Sequence, residues 1–219
     1  MRVAIEAASL AVSSGGLPRY TSELSLALAR AFPADEFFLV SDQPFPMPAG
    51  PSNLKRGGGP RNAADRRWWL WGLPRELARL RADLIHGPDF AVPYLRRRPS
   101  VLTLHDLSPW IDPSWHHAAG RVRRRTPLLL ELGLPTMIVT PSEHVRKQAI
   151  ERFRIRPERI VAVPEMALIW ILCRGAGHLR YNAFLLLTTS GGPAPPALRS
   201  SGATAARCQL RKRLAMPRE

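Results

Sequence analysis

The chain has 219 residues, of which 45% are hydrophobic, and a formal net charge of +15. This length and apolar content suit one globular domain of ordinary size and part of another. No apolar run approaches the roughly 18 to 20 residues that a transmembrane helix requires, so the sequence does not predict a membrane span. Because Glu6 interrupts the apolar run at the amino terminus, we do not expect a signal peptide. We expect a cytoplasmic protein, and peripheral contact with the inner face of a membrane stays open.

The excess of positive charge does not by itself indicate nucleic-acid binding. Only three of the 32 basic residues are lysines, and with abundant Ala and Pro this pattern is typical of a coding bias rather than of a selected binding surface. We therefore expect no specific nucleic-acid partner. Two arginine clusters, at 96–98 and 123–125, are interpreted either as solvated faces or as contacts for anionic lipid or a phosphate-bearing ligand.

Metal and redox chemistry find little support in the sequence. The two cysteines, Cys173 and Cys208, match neither a metal-binding nor a redox spacing. We interpret them as unpaired thiols, and we predict neither a metal site nor a bound cofactor.

The first predicted unit is a strand, a glycine turn and a helix. Residues 2–7 have the alternating pattern of a short strand, and Ser13-Ser14-Gly15-Gly16 is a turn from which a helix can start. Pro18 suits a first helical position, and an apolar stripe at helical spacing extends to about residue 31. Such a turn can leave backbone N–H groups free for a phosphate, although two adjacent glycines are also typical of a tight structural connection.

Strands and helices then alternate along the chain. Apolar runs predict five further strands, at residues 36–41, 82–86, 99–104, 136–140 and 159–164, and residues 53–57 are a candidate for one more. We also predict a short helical segment at the tryptophans 68, 69 and 71, a helix restarted by Pro74, one or two helices over 115–132 interrupted by Pro127, and a helix that begins at Ser142. This order predicts a Rossmann-like, mainly parallel α/β sheet with helices on both faces.

A histidine follows the most apolar of these strands. The strand at 99–104 stops at His105-Asp106, and ligands of doubly wound sheets gather outside the carboxyl ends of their strands. His105 is therefore a candidate site residue. The alternative is that it only caps the strand by hydrogen-bonding a neighbouring carbonyl group.

Several of these segments together resemble the N-terminal half of family 4 glycosyltransferases, over roughly residues 1–165. After the first strand, the resemblance is carried in order by Gly15-Gly16-Leu17-Pro18-Arg19-Tyr20, by Ala82-Asp83-Leu84-Ile85-His86, by residues 101–107, by residues 138–144 and by residues 159–164. Members of that family are retaining, nucleotide-sugar-dependent enzymes of the GT-B fold, and many in this branch are mannosyltransferases. The resemblance implies hexosyl or mannosyl transfer from a nucleotide sugar to a hydroxyl group of a glycan or lipid-linked acceptor, with no essential metal.

The resemblance also implies roles for individual residues. His105 would be the catalytic residue beside the transferred sugar, where it would hydrogen-bond a sugar hydroxyl or stabilise charge that develops at the reacting centre. Gly15 and Gly16 would lie near the donor phosphates and the acceptor, because the absent Cβ lets backbone N–H groups approach the ligand. The implied substrate-binding set is Gly15, Gly16, Arg19, Tyr20, Asp106 and Ser142, of which Ser142 is also a natural helix N-cap.

The sequence departs from the family after residue 165. Family members continue into a second α/β domain that binds the nucleotide sugar with basic residues and a Glu-x7-Glu motif, whereas residues 166–218 contain no acidic residue. We therefore divide the chain into an acceptor-side domain, 1–165, and an irregular basic tail, 166–219, which we expect to be disordered or translated out of frame. A genuine basic extension is the alternative. On this interpretation the chain alone is inactive, and a partner chain could supply the donor domain.

Two further function classes stay open. The charge would suit a protein that binds nucleic acid or an anionic membrane, for which steep salt dependence is expected. A non-catalytic remnant would bind neither nucleotide sugars nor glycosyl acceptors, so neither would shift its thermal stability.

Overall fold

The computed structural model describes residues 1–112, 114 and 119–163. The strands of this region are β1 (Arg2–Glu6), β2 (Glu36–Val40), β3 (Leu54–Arg56), β4 (Leu84–Gly87), β5 (Ser100–Thr103), β6 (Met137–Thr140) and β7 (Ile160–Ala162). They form one seven-stranded sheet in the order β3-β2-β1-β4-β5-β6-β7, and every neighbouring pair is parallel. The predicted Rossmann-like parallel sheet is confirmed, and the candidate strand at 53–57 is its edge strand β3.

Helices cover both faces of this sheet, as predicted. They are α1 (Gly16–Ala31), α2 (Leu73–Arg79), α3 (Ser108–Ile111), α4 (Gly120–Glu131) and α5 (Glu143–Phe153). Side chains alternate along each strand, so Ile5 packs under α1 on one face, whereas Ala4 and Ile85 pack under α2 on the other. On that second face, Leu102 and Ile138 pack under α4 and α5. The tryptophan-rich segment before α2 is a single π-helical turn, Trp68–Gly72.

Pro127 does not interrupt a helix, and the prediction of a break there is wrong. It lies inside α4, where its missing N–H would leave the carbonyl group of Arg123, four residues earlier, without a helical donor. The indole Nε1–H of Trp110 donates to that carbonyl oxygen at 3.1 Å. The helix continues through the proline because a side chain from α3 supplies the donor.

Pro18 is the third residue of α1, whereas the sequence predicted it at the first position. An N–H at this position would have no acceptor within the helix, so the proline costs no helical hydrogen bond.

Two further expectations concern membranes and the tail. Within the residues described, no helix has the length and apolarity needed to cross a bilayer. The predictions for residues 166–219, including Cys173 and Cys208, lie outside the described residues.

Helix α5 begins where the sequence predicts. The Oγ of Ser142 accepts a hydrogen bond from the Val145 N–H at 3.2 Å, which is the side-chain N-cap. Val145, Ala149 and Phe153 then form the inward stripe that packs against the sheet. The helix ends at Phe153, and the next residue, Arg154, adopts a left-handed conformation.

We predict that Ser142→Ala lowers the free energy of unfolding by about 1 kcal/mol, because the alanine leaves the Val145 N–H without its acceptor. Urea unfolding followed by circular dichroism measures the change. Ser52→Ala, at an exposed serine outside the helices, should leave the free energy of unfolding within error of wild type. Equal stability of wild type and Ser142→Ala would contradict the capping role.

Candidate active-site crevice

The strand order opens a crevice between β1 and β4. After β1, the chain adds β2 and then β3 on one side of β1. It then returns, and β4 pairs with the other side of β1, where Ile5 lies beside His86. The loops that leave β1 and β4 consequently diverge at the carboxyl ends of these strands. Ligands of open parallel sheets bind at such a reversal of strand order, so this crevice is the candidate functional site.

A tight, strained turn forms one wall of the crevice. A Cβ built on Gly87 would lie 1.6 Å from the carbonyl oxygen of Ala91, so the backbone after β4 folds back too closely for any other residue. Phe90 in this turn is left-handed, with φ of 53°, which is unfavourable for a bulky side chain. Its carbonyl oxygen accepts a hydrogen bond from Thr126 Oγ1 at 2.8 Å. Residues held in such conformations cluster at ligand sites, where the surrounding structure maintains the strain.

His105 lies on the α1 face of the crevice, at the end of β5. Its Nε2–H donates to the carbonyl oxygen of Pro88 at 2.7 Å, since a carbonyl oxygen can only accept. The ring also packs edge-on against Tyr20, with 4.7 Å between centroids, and against Phe90, at 5.6 Å. The strand-capping hydrogen bond considered from the sequence is therefore present. It orients the ring and assigns the acceptor lone pair of the neutral imidazole to Nδ1.

A second histidine, His86, lies near His105 on the same face of the sheet. His86 Nε2 is 2.8 Å from Thr103 Oγ1, which is itself 3.5 Å from the Tyr20 hydroxyl. The Nδ1 atom of His86 is buried and has no hydrogen-bond partner among the described residues. Burial, and to a lesser extent His105, lowers the pKa of His86 to about 4, so its imidazole is neutral at neutral pH. In the sequence, His86 is recognisable only as part of a strand motif.

The opposite face of the crevice holds a buried carboxyl group that the sequence analysis did not recognise as a site residue. Glu6, the last residue of β1, is 1% exposed, and its Oε1 accepts a hydrogen bond from the Ala8 N–H at 3.1 Å. The pKa of Glu6 is raised to about 8, mainly by burial; the hydrogen bond from the Ala8 N–H opposes this shift, and the nearby carboxyl groups of Asp89 and Asp42 contribute to it. Glu6 is therefore protonated at neutral pH, and it presents a neutral carboxylic acid to its surroundings. Its signal in the sequence was a single acidic residue at the end of an apolar strand.

Arg125 is the cation on this face. It is 8% exposed, its guanidinium lies 4.6 Å from the ring centroid of Trp69, and its Nε has no hydrogen-bond partner among the described residues. Burial lowers the pKa of Arg125, and the charge of Asp89 opposes that shift most strongly. For Asp89, burial raises the pKa of the carboxyl group, whereas the positive charge of Arg125 lowers it. The arginine cluster at 123–125 is thus not a uniformly solvated face, because Arg125 points inward while Arg124 is exposed.

The other sequence-predicted site residues lie at the start of α1 and in the segments that follow β5 and β6. Gly15 and Gly16 are exposed at the start of α1, where Gly15 has a φ of 131° that favours glycine and Gly16 has open space around its Cβ position. Arg19 is exposed on α1. The Oδ1 of Asp106 accepts hydrogen bonds from the N–H of Ser108 at 2.8 Å and from its hydroxyl group at 2.5 Å, so the carboxyl group is engaged in the turn just before α3. Ser142 lies beyond β6, one strand further from β1 than His105.

The crevice is not a recognisable metal centre. Across residues 1–112, 114 and 119–163, no group of three or more His, Cys, Asp or Glu side chains is arranged to hold a metal ion.

The fold and the crevice define an α/β protein of the doubly wound class. The sequence model of Glycosyltransferase Family 4 matches residues 14–165, and the chain therefore belongs to glycosyltransferase family 4. No curated protein matches it. Among solved structures, it is similar to a glycosyltransferase from Rickettsia africae, with 12% identity over 74% of this chain and 42% of that one and a TM-score of 0.42. It is also similar to the Anabaena protein HepE in complex with UDP, with 14% identity over 74% of this chain and 43% of that one and a TM-score of 0.43. The chain thus spans less than half the length of these structures.

The buried carboxyl group predicts a pH-dependent stability. In the unfolded chain Glu6 ionises above its ordinary pKa of 4.5, whereas in the folded protein it keeps its proton up to about pH 8. The unfolded state binds fewer protons between these values, so Glu6 makes the wild-type protein less stable as the pH rises from about 4.5 to 8. Glu6→Gln keeps an oxygen for the Ala8 N–H and cannot ionise. We expect its stability advantage over wild type to grow across this range to the order of a few kcal/mol.

Urea unfolding at several pH values between 5 and 8 measures this difference. Glu23→Gln, at an exposed carboxyl group on α1, is the matched control and should track wild type at each pH. If wild type and Glu6→Gln lose stability in parallel, the carboxyl group of Glu6 is not held protonated by the fold.

Proposed function

We propose that residues 1–165 form the acceptor-side domain of a retaining glycosyltransferase, which transfers a hexose, mannose in the first instance, from a nucleotide sugar to an acceptor hydroxyl. The observation that supports this most is the family match over residues 14–165, which includes every candidate residue of the crevice except Glu6. The proposed acceptor is a glycan or a lipid-linked sugar. The reaction forms a bond from the acceptor oxygen to the anomeric carbon and releases the nucleoside diphosphate.

The start of α1 would receive the negatively charged part of the substrate. The first N–H groups of a helix have no partner within the helix, and the helix dipole favours an anion there. At Gly16 no atom lies within 4 Å of the Cβ position, so a ligand can approach the backbone from solvent. Gly15 and Gly16 are therefore the proposed contacts to the donor phosphates, and exposed Arg19 supplies positive charge beside them.

His105 would contact the sugar that is transferred. Its Nε2–H is engaged with Pro88, and this hydrogen bond together with the Tyr20 and Phe90 rings holds the imidazole in one orientation. In this orientation the ring would contact a hydroxyl group of the transferred sugar. A preorganised group of this kind stabilises the transition state because it needs no reorientation during the reaction.

The donor nucleotide would be bound by a second α/β domain of the kind that family members carry. Whether that domain belongs to the same protein or to a partner chain, residues 1–219 by themselves are proposed to transfer sugar at a negligible rate. The test is a transfer assay with GDP-mannose and UDP-glucose as donors, run with this chain alone and with a family 4 donor domain added or fused. Transfer only in the combined sample supports the proposal. Absence of transfer in every combination, together with no thermal shift from donors or acceptors, would indicate a non-catalytic remnant.

In the active combination, we predict that His105→Ala lowers kcat by about 10²- to 10³-fold, the usual effect of removing one preorganised hydrogen-bonding group. His144→Ala, at an exposed histidine of α5, is the control and should retain the wild-type rate. Thermal melting of both variants separates a catalytic effect from a loss of folding. A His105→Ala enzyme with the same kcat as wild type would exclude His105 from the proposed role.

A further inference from the structure

A separate cavity lies between α2 and the amino ends of β4 and β5, where Ile85 and Ser100 contribute to its lining. Its volume is about 180 Å³, and it lies between α2 and the loop that leads into β5. Pro74 and Leu77 of α2 and Pro93 of the loop form apolar walls, and Arg96, Arg97 and Arg98 complete the lining. We call it the arginine cavity. Since a water molecule takes up about 30 Å³, it has room for a phosphate group with several waters.

The arginines of this cavity carry no compensating negative charge in the described part of the chain. The ion pairs found there use other basic groups, so none of the three guanidinium groups is neutralised by a described carboxylate. The Nε of Arg96 is buried and has no hydrogen-bond partner among the described residues. A buried donor without an acceptor is costly, and an anion in the cavity would remove that cost.

A further cation adds to the positive charge beside Arg96. Arg159 lies directly before β7, so it is also at the amino ends of the strands. Its Nη2 donates to the carbonyl oxygen of Gly133 at 2.8 Å. After burial, the charge of Arg96 contributes most to lowering the pKa of Arg159, and Arg156 adds to it. Five arginines therefore lie near the amino ends of these strands: Arg96, Arg97, Arg98, Arg156 and Arg159. The negative charge that acts on Arg159 is that of Glu158. Apolar walls reduce the local screening by water and strengthen the field at the cavity.

We propose that the arginine cavity binds a phosphate group, either as a free phosphate or as the headgroup of an anionic lipid. Guanidinium groups bind phosphate oxygens through paired N–H donors, so adjacent arginines suit this ligand better than isolated lysines would. The site is distinct from the crevice. Arg98 lies two residues before β5 begins, whereas His105 lies two residues after it ends, and four residues of strand span roughly 10 Å. An anion bound there would leave the start of α1 free.

The test measures binding of inorganic phosphate to the full chain by isothermal titration calorimetry. We expect saturable binding to wild type and a dissociation constant at least tenfold weaker for the double variant Arg97→Ala and Arg98→Ala. Both side chains are exposed, so this variant should fold. The matched control is Arg30→Ala with Lys147→Ala, which removes the same charge from exposed positions of α1 and α5. Its dissociation constant should stay within twofold of wild type. The basic residues of 166–219 are the same in all three proteins.

Vesicle sedimentation distinguishes the two sources of phosphate. Vesicles of phosphatidylcholine with and without phosphatidylglycerol are incubated with the same three proteins. Binding to the anionic vesicles that is lost only in the Arg97/Arg98 variant identifies a lipid headgroup as the ligand, and calorimetric binding without vesicle binding identifies a free phosphate. The proposal is overturned if wild type shows neither, or if the control variant loses as much binding as the cavity variant. Because neither variant alters Gly15, Gly16 or His105, the outcome is independent of the transfer assay.

Discussion

The pairing of β1 with β4 is the constraint on which the rest of this structure depends. Parallel strands can be joined only by a crossover that returns the chain to the same edge of the sheet. After β3 the chain reaches the free side of β1, and this reversal separates the loops that leave β1 and β4. The crevice between those loops collects Glu6, His86 and His105, which are far apart in sequence. Strand order, rather than any single motif, therefore brings the candidate site together.

Side-chain alternation then divides the crevice into two chemically different faces. On the α1 face, His105 packs against Tyr20 and His86 is linked to Tyr20 through Thr103, whereas Glu6 and Arg125 lie on the opposite face. Glu6 and His86 are buried, and burial penalises the charged form of each of these two groups. Glu6 consequently keeps its proton and His86 remains neutral, so these two groups add no net charge to the crevice at neutral pH. Arg19, which is exposed near the start of α1, carries its positive charge at the surface.

Much of the architecture followed from local patterns. An alternating pattern at residues 2–7 and apolar runs elsewhere predicted the six principal strands, and the candidate strand at 53–57 proved to be β3. Ser142 was recognisable as a helix cap because capping depends only on residues within one turn. His105 was recognisable as a residue of the crevice because it directly follows a buried strand. Pro127 was misjudged, since the indole of Trp110 that supports α4 lies 17 positions away and is invisible to a local pattern.

The sequence by itself determined the order of strands and helices, the positions of the glycines at the start of α1, and the family to which residues 14–165 belong. These features depend on periodicity and on short-range steric preferences, which neighbouring residues specify. Only the tertiary structure decided which polar groups are buried. Arg124 and Arg125 are adjacent and identical in type, yet one faces solvent and the other stacks on Trp69. That difference arises because burial and electrostatics depend on contacts between elements that the chain brings together only when it folds.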